Sequence, residues 1–224
     1  MERLYDLHVH TATVSSCGQV EPERMAELYQ RAGYDGVAVT DHYYARYFEK
    51  MGDLPWEKKV DRYLAGYRRA KTAGEKTGLQ VLLGIELRFK GHVNDYLIFG
   101  VDEAFLREHP KLYELELPEF YRRFRDELFI CQAHPFRDRG CEPAPAEFLH
   151  GAEVYNGNPN HLDHNYNDKA RAFAKANGLV AISASDFHEE GGEAMGGTFL
   201  PGVSDGRALA HTLKESGPFK LKET

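Results

Sequence analysis

Leu4-Tyr5-Asp6-Leu7-His8-Val9-His10 opens the chain as a short apolar run that ends in two imidazoles. A run of this length reads as a buried strand, and residues i and i+2 of a strand point to the same side, so His8 and His10 face one point. The pattern then recurs along the chain. After this first strand at about 4–9, apolar segments lie at about 36–40, 80–86, 95–100, 128–133, 152–155 and 179–184. The second runs into Thr40-Asp41-His42, the third into Gly84-Ile85-Glu86 and the fifth into Ala133-His134-Pro135. The sixth ends in Glu153-Val154-Tyr155-Asn156 and the seventh in Ser185-Asp186-Phe187-His188.

Helical patterns fall between several of these strands. In 21–33, Pro22 suits a first helical turn, Met25, Leu28, Tyr29 and Ala32 repeat on one face, and Gly33 ends the run. A longer pattern spans about 57–77, with others near 118–126, 166–176 and 204–214. Strand–helix alternation predicts an α/β fold with a parallel sheet covered by helices. Seven strands in 224 residues suit a TIM-like barrel slightly short of the eight-fold form. An open doubly wound sheet is the alternative, but no glycine-rich phosphate loop follows the first strand. No linker or repeat divides the chain, so one domain over 1–224 is expected. In a parallel barrel the strand ends gather on one rim, where active sites sit.

Composition narrows the function. With 28 basic and 35 acidic side chains the formal charge is −7, which argues against a protein that holds nucleic acid by bulk electrostatics. No apolar run approaches the roughly 20 residues a membrane helix needs. The three cysteines, Cys17, Cys131 and Cys141, have no short spacing, and the N-terminus lacks the order of a secretion signal. A cytoplasmic protein is expected.

Each rim residue has a bland reading. A helix N-cap would explain Asp41 or Asp186, and a turn would explain His134. Glu86 is harder to dismiss, because a carboxylate closing a buried strand needs a partner. Coincidence at five strand ends is not credible. Imidazole and carboxylate are ligands of Zn²⁺, Mn²⁺ and Fe²⁺, and a set this large exceeds the needs of one tetrahedral ion. Two or three divalent ions are expected. Such ions clamp a phosphate and activate a water.

The motifs Asp6-Leu7-His8-Val9-His10-Thr11, Thr40-Asp41-His42, Gly84-Ile85-Glu86, Ala133-His134-Pro135 and Ser185-Asp186-Phe187-His188, in this order, resemble those of the PHP (polymerase and histidinol phosphatase) superfamily of metal-dependent phosphoesterases. The resemblance implies a distorted (βα)7 barrel. It implies that His8, His10, Glu86 and Asp186 hold one metal and that His42 and His188 hold a second. Glu86 and His134 would hold a third, with Glu86 bridging; Asp41 is either a ligand or a support behind the ligands. Two departures stand out. Where many relatives place a further second-metal ligand, this chain has Ser15-Ser16-Cys17-Gly18. Cys17 is read as a thiolate ligand, as a place filled by water, or as a buried structural cysteine, the last being slightly preferred. Asp95 falls where many relatives have a third-metal histidine, and a carboxylate there favours Mn²⁺ over Zn²⁺.

The expected function is hydrolysis of a small phosphomonoester by a metal-activated water. Arg137 is the first candidate for a phosphate clamp, ahead of Arg139 and Arg88, and Asn156 for orienting substrate or a ligand. His161 and His164 belong to a polar segment that is either a rim loop or a solvated turn. The aromatic-rich stretch Tyr43–Trp56 is a candidate cover for the site. The rivals are an exonuclease or phosphodiesterase of the same fold, an amide or lactone hydrolase, and a non-catalytic metal-binding PHP module.

Overall fold

The computed structural model describes residues 2–224. The seven expected strands are present. They are β1 (Glu2–Val9), β2 (Gly36–Val39), β4 (Gln80–Leu87), β5 (Tyr96–Phe99), β6 (Phe129–Gln132), β7 (Gly151–Asn156) and β8 (Val180–Ala184). They pair in the order β1-β2-β4-β5-β6-β7-β8. A parallel bridge between Val9 and Phe187, just past β8, nearly closes the sheet into a barrel. Two hydrogen bonds make that seam: His10 N–H donates to Phe187 O, and Phe187 N–H donates to His8 O, both at 3.1 Å.

The sheet is not wholly parallel. β5 runs antiparallel to both β4 and β6. The chain from β4 to β5 is a short turn with no crossover helix, and such a connection can join only antiparallel neighbours. A two-residue strand, β3 (His42–Tyr43), extends the sheet by pairing with the end of β4, setting His42 beside Glu86. Two strands without a sequence signal, β9 (Gly196–Pro201) and β10 (Leu221–Glu223), continue antiparallel from the outer edge of β1.

The helices are α1 (Pro22–Arg31), α2 (Ala45–Glu49), α3 (Trp56–Tyr63), α4 (Ala65–Thr77), α5 (Glu103–Glu108), α6 (Leu117–Phe124), α7 (Asn167–Asn177) and α8 (Gly206–Glu215). The single helix expected over 57–77 is two helices, α3 and α4, meeting at Leu64. The break lets the chain change cores. Val60, Tyr63 and Leu64 pack with Tyr43, Phe48 and Tyr113, whereas Ala70 and Ala73 pack with Met25 and Tyr29 of α1. The barrel interior is a third cluster. There Tyr5, Leu7, Ala38, Leu97, Phe129 and Ile182 meet Leu209 and Leu213 of α8, which plugs the mouth opposite the rim.

A bulge in β1 decides what faces inward. Tyr5 pairs with Gly36 and Asp6 with Val37, but Val9 pairs with Val39, so three steps on β1 match two on β2. One extra residue reverses the side-chain alternation. Below the bulge Tyr5 and Leu7 point into the barrel, and above it Val9 joins the outer cluster under α1 while His8 and His10 turn inward. β7 has a similar slip between Glu153 and Tyr155, which brings Glu153 and Asn156 to one side, joined by a 2.9 Å hydrogen bond.

Candidate metal centre

The rim gathers the expected residues. His8 and His10 are fully buried, with Glu86, His134 and Asp186 at 1–3% exposure. His8 Nε2 lies 3.2 Å from both Glu86 Oε1 and Asp186 Oδ1. His10 Nε2 lies 3.4 Å from Glu86 Oε2 and 3.3 Å from Asp186 Oδ1, and His42 Nδ1 lies 2.5 Å from Glu86 Oε2. Yet His8 Nε2, His10 Nε2, Glu86 Oε2 and His134 Nδ1 make no hydrogen bond. Of these, the His8, His10 and Glu86 atoms converge on one another's surroundings, whereas His134 turns its other nitrogen, Nε2, to Glu86 Oε1 at 3.2 Å.

That is the signature of a ligand set. Around an ion with bonds of about 2.1 Å, the edges of a tetrahedron or octahedron are roughly 3.0–3.4 Å. Four overlapping groups have all their donor atoms within 4.8 Å of one another: His8, His10 and Glu86; His8, His134 and Asp186; His10, His42 and His188; and His42, Glu86 and Asp95. The donor set, imidazole nitrogens and carboxylate oxygens, fits divalent transition ions.

The residues behind them fix the tautomers. Glu153 Oε1 accepts from His8 Nδ1–H at 2.9 Å, leaving the Nε2 lone pair directed at the cluster. Ser15 Oγ donates to Asp41 Oδ1 at 2.7 Å and so accepts from His10 Nδ1–H at 3.0 Å. Asp41 also accepts from Thr11 N–H and Oγ1 at 2.8 and 2.7 Å, which holds it behind His10. His188 Nδ1–H donates to Asp186 O at 2.7 Å.

Electrostatics agree. Burial opposes charge on His8, but Asp186, Glu153 and Glu86 outweigh it and hold its pKa well above the ordinary value. In His10, burial and the nearby His188 and His42 push the pKa well below. Against the upward push of burial, His42 and His8 hold Glu86 well below the usual carboxylate range, and His8 and Arg137 do the same for Asp186. The carboxylates thus stabilise positive charge on the imidazoles beside them, which a bound cation would supply in place of their protons.

Backbone strain marks two of these positions. His134 (φ 28°) and Asp186 (φ 54°) occupy the left-handed region, uncommon for residues with a Cβ. Their neighbours hold them there. Glu153 Oε2 accepts His134 N–H at 2.8 Å, and Asn158 Nδ2 donates to Asp186 O at 3.0 Å.

The cluster floors a cavity of about 510 Å³. Arg88, Arg137, Arg139, His161 and Cys17 line it, with His42, Glu86, Asp95, His134, Asp186 and His188. The three arginines differ. Arg88 grips both oxygens of Asp95, at 2.7 and 2.5 Å. Arg137 donates to Asp186 Oδ2 (2.6 Å), Asn165 Oδ1 (2.7 Å) and Asn156 Oδ1 (3.1 Å). Arg139 is exposed, and its side chain makes no hydrogen bond or ion pair among the described residues.

Several expectations change. Asp95 is at the rim because β5 runs backwards, so that its start, not its end, reaches the site. Asn156 is fully buried and does not line the cavity; it accepts from Arg137 and Asn165 and donates to Glu153. Of the aromatics in Tyr43–Trp56, only Tyr44 reaches the site, its ring edge-on to that of His42 at 5.8 Å. Tyr43 and Phe48 are fully buried in a hydrophobic cluster, with Trp56 packed on it, and none lines the cavity. Cys17 is exposed, not buried. Its Sγ is 3.0 Å from His188 Nε2, and although burial acts upward, His188 and His42 bring its pKa down to about 6. Glu153, Ser15 and Asn165 had no signal as site residues, because their roles depend on what the fold sets beside them.

Fold and rim together define an α/β barrel with a buried histidine–carboxylate centre of metal-binding type at one end of its strands. The chain belongs to the PHP domain family, whose model matches residues 6–188. Among solved structures it is similar to a two-domain protein of Bacteroides vulgatus ATCC 8482 that contains a predicted PHP-like metal-dependent phosphoesterase. The identity is 19% and the TM-score 0.65, with 96% of this chain and 63% of that one covered, so this chain spans less than two thirds of that protein. PsfC of Pseudomonas syringae PB-5123 is 17% identical at a TM-score of 0.69, with 100% and 92% covered. A protein of Bifidobacterium adolescentis ATCC 15703, named as a metal-dependent phosphoesterase, is 16% identical at 0.56, with 93% and 95% covered. At these identities the likeness carries the fold alone. Among curated protein sequences none matches this chain. Among the described residues no helix is long and apolar enough to cross a membrane.

Proposed function

We propose that the chain hydrolyses a small phosphomonoester with two or three divalent ions (Zn, Mn or Fe) held at the rim. His8, His10, Glu86 and Asp186 hold the first, His42 and His188 the second, and Glu86 with His134 the third; Asp95, gripped by Arg88, lies beside His42 and Glu86. The observation that carries this reading is the pair of buried, unpartnered nitrogens His8 Nε2 and His10 Nε2, 3.2 and 3.4 Å from the carboxylate of Glu86, which itself lines an arginine-rich cavity. Bound there, divalent ions supply Lewis acidity and lower the pKa of a water.

The chain's own residues supply the rest. Glu153 and the Ser15–Asp41 pair lock the His8 and His10 rings with their Nε2 lone pairs inward. Arg139 offers its guanidinium to an anionic substrate, and Arg137 holds Asp186 in place while reaching the cavity wall. A cavity of about 510 Å³ is the size of a small-molecule site. With a net charge of −7, the surface offers no broad basic track for a nucleic acid.

The test is elemental analysis of protein purified without an affinity metal, followed by phosphate release from a panel of monoesters and a dinucleotide. Two or three ions per chain with release from small monoesters is the expected result. Oligonucleotide cleavage at equal or greater rates would replace this reading with an exonuclease or phosphodiesterase. Bound metal without hydrolysis of any ester would leave a metal-binding module, and turnover of a lactone alone a different hydrolase.

A further inference from the structure

Cys17 sits on the β1–α1 loop, and that loop is held on both sides of it. Ala12 N–H donates to Val20 O, Ser15 N–H to Thr11 O, Gly18 N–H to Ser15 O, and Gln19 N–H to His188 O, at 2.7–3.1 Å. A Cβ on Gly18 would stand 2.7 Å from Thr11 O, so the turn after Cys17 closes this tightly only around a glycine. The thiol is therefore presented at a fixed place on the cavity wall, 3.0 Å from His188 Nε2.

The imidazoles of His188 and His42 stand beside the thiol, with that of His10 next to both. The His10 ring centroid is 4.5 Å from that of His42 and 4.4 Å from that of His188, and donor atoms of all three lie within 4.8 Å of one another. His10 Nε2, fully buried with no hydrogen-bond partner, turns to Glu86 and Asp186 of the first position at 3.4 and 3.3 Å, so the imidazoles left for the second are those of His42 and His188. With His188 Nδ1–H bonded to the Asp186 carbonyl, His188 Nε2 carries the lone pair, and the only proton between it and sulfur is the thiol's own. Sulfur and nitrogen thus meet as two donors whose shared proton a cation can replace.

We infer that Cys17 supplies a thiolate ligand to the divalent ion held by His42 and His188, making this position softer than the carboxylate-rich one beside it. The inference rests on the metal reading proposed above and adds a ligand and a preference to it. On binding, the thiol proton leaves to solvent and the sulfur lone pair forms the bond to the ion; no electron transfer is involved. Thiolate favours Zn²⁺ and Co²⁺ over Mn²⁺, whereas the Glu86–Asp186 position accepts all three.

The experiment is anaerobic titration of the metal-free full chain with Co²⁺, followed by absorbance, with bound cobalt counted by elemental analysis after desalting. Cys141 also lines the cavity, so Cys141→Ser is the control. The expected result is a thiolate-to-cobalt charge-transfer band in the near ultraviolet for the wild type and Cys141→Ser. Cys17→Ser loses the band and retains one cobalt fewer per chain, while Cys17→Asp regains the ion without the band and shifts preference toward Mn²⁺. Cobalt bound with no such band, or a band that survives in Cys17→Ser, overturns the inference and leaves the metal centre standing. No cobalt bound at all overturns the proposed metal centre itself. Circular dichroism of each variant shows whether the fold is kept, and a wild type without the band refutes the inference whether or not a variant folds.

Discussion

Replacing Glu153 with glutamine probes the centre without touching a proposed ligand. Its carboxylate accepts three hydrogen bonds, from His8 Nδ1 at 2.9 Å, His134 N–H at 2.8 Å and Asn156 Nδ2 at 2.9 Å. Alanine would strand three buried donors at about 1–3 kcal/mol each, comparable to the roughly 5–15 kcal/mol that holds a whole domain folded. Glutamine keeps the shape and one acceptor oxygen but turns an amide toward at least one donor, a loss of about 1–3 kcal/mol that the fold survives. Its effect on metal is larger in proportion. Without the carboxylate, His8 is no longer held in the tautomer that presents Nε2, and losing such a support weakens metal binding by about 10–100-fold, or 1.4–2.7 kcal/mol. The assay is competition of Glu153→Gln and wild type against a chelator of known affinity, with thermal unfolding in parallel. A variant that melts a few degrees lower but binds metal as tightly as wild type would refute the claim that Glu153 acts through His8.

Arg139→Ala should raise KM for a phosphomonoester by about tenfold without changing the melting temperature, since its side chain has no partner among the described residues; an unchanged KM removes it from substrate binding. Gly66→Ala should destabilise the protein although helix propensity favours alanine by about 1 kcal/mol. The new Cβ would stand 2.3 Å from Thr11 Oγ1 and 3.0 Å from Asp41 Oδ2, an overpacking cost of about 1–3 kcal/mol, so a higher melting temperature would contradict the packing described. His150 gives a pH dependence away from the centre. Burial and Lys214 hold its pKa down at about 4, and its Nδ1 accepts from Ile130 N–H. An unfolded histidine titrates near 6.5, so the unfolded chain binds the extra proton first as pH falls. Stability from this group is complete above about pH 6.5 and is lost toward pH 4, on the order of 1–2 kcal/mol after allowance for its partial exposure. Urea midpoints at pH 7 and pH 4.5 should differ less in His150→Asn than in wild type, and an equal difference counts against the assignment.

What the sequence disclosed follows from what is local. An apolar run that ends in histidine or a carboxylate carries both the strand and its rim residue in a few positions, so the seven barrel strands and the residues from His8 to His188 could be read directly. The β1 bulge could not, because it exists only in the register between Asp6 and Val9 and their partners on β2. Simple alternation put His8 and His10 on one side correctly but gave no reason for that side to be the interior, since Asp6 lies two residues earlier and points outward to Tyr29. The direction of β5 was hidden for a related reason: Leu97, Ile98 and Phe99 read alike in either sense. Cys17 looked like a core residue by type, and only the turn at Gly18 reveals that it faces the cavity. Asn156 read equally well as a substrate or a support residue until Arg137 is seen between it and the cavity.

The seam between β1 and the segment after β8 has a kinetic consequence. His8 and His10 belong to the first strand of the barrel and its end, and Asp186 and His188 follow the last; Ser185 N–H bonds to Asp6 Oδ1 across 179 residues of chain. No partly made or partly folded chain holds both halves of the centre, so ion capture waits on ring closure, and closing so long a loop is slow. The bound ion in turn latches the join. It favours only the closed form, so added metal should slow the opening of β1 from Phe187 more than it speeds the approach, and amide exchange at His10 and Phe187 is where that latch would be felt.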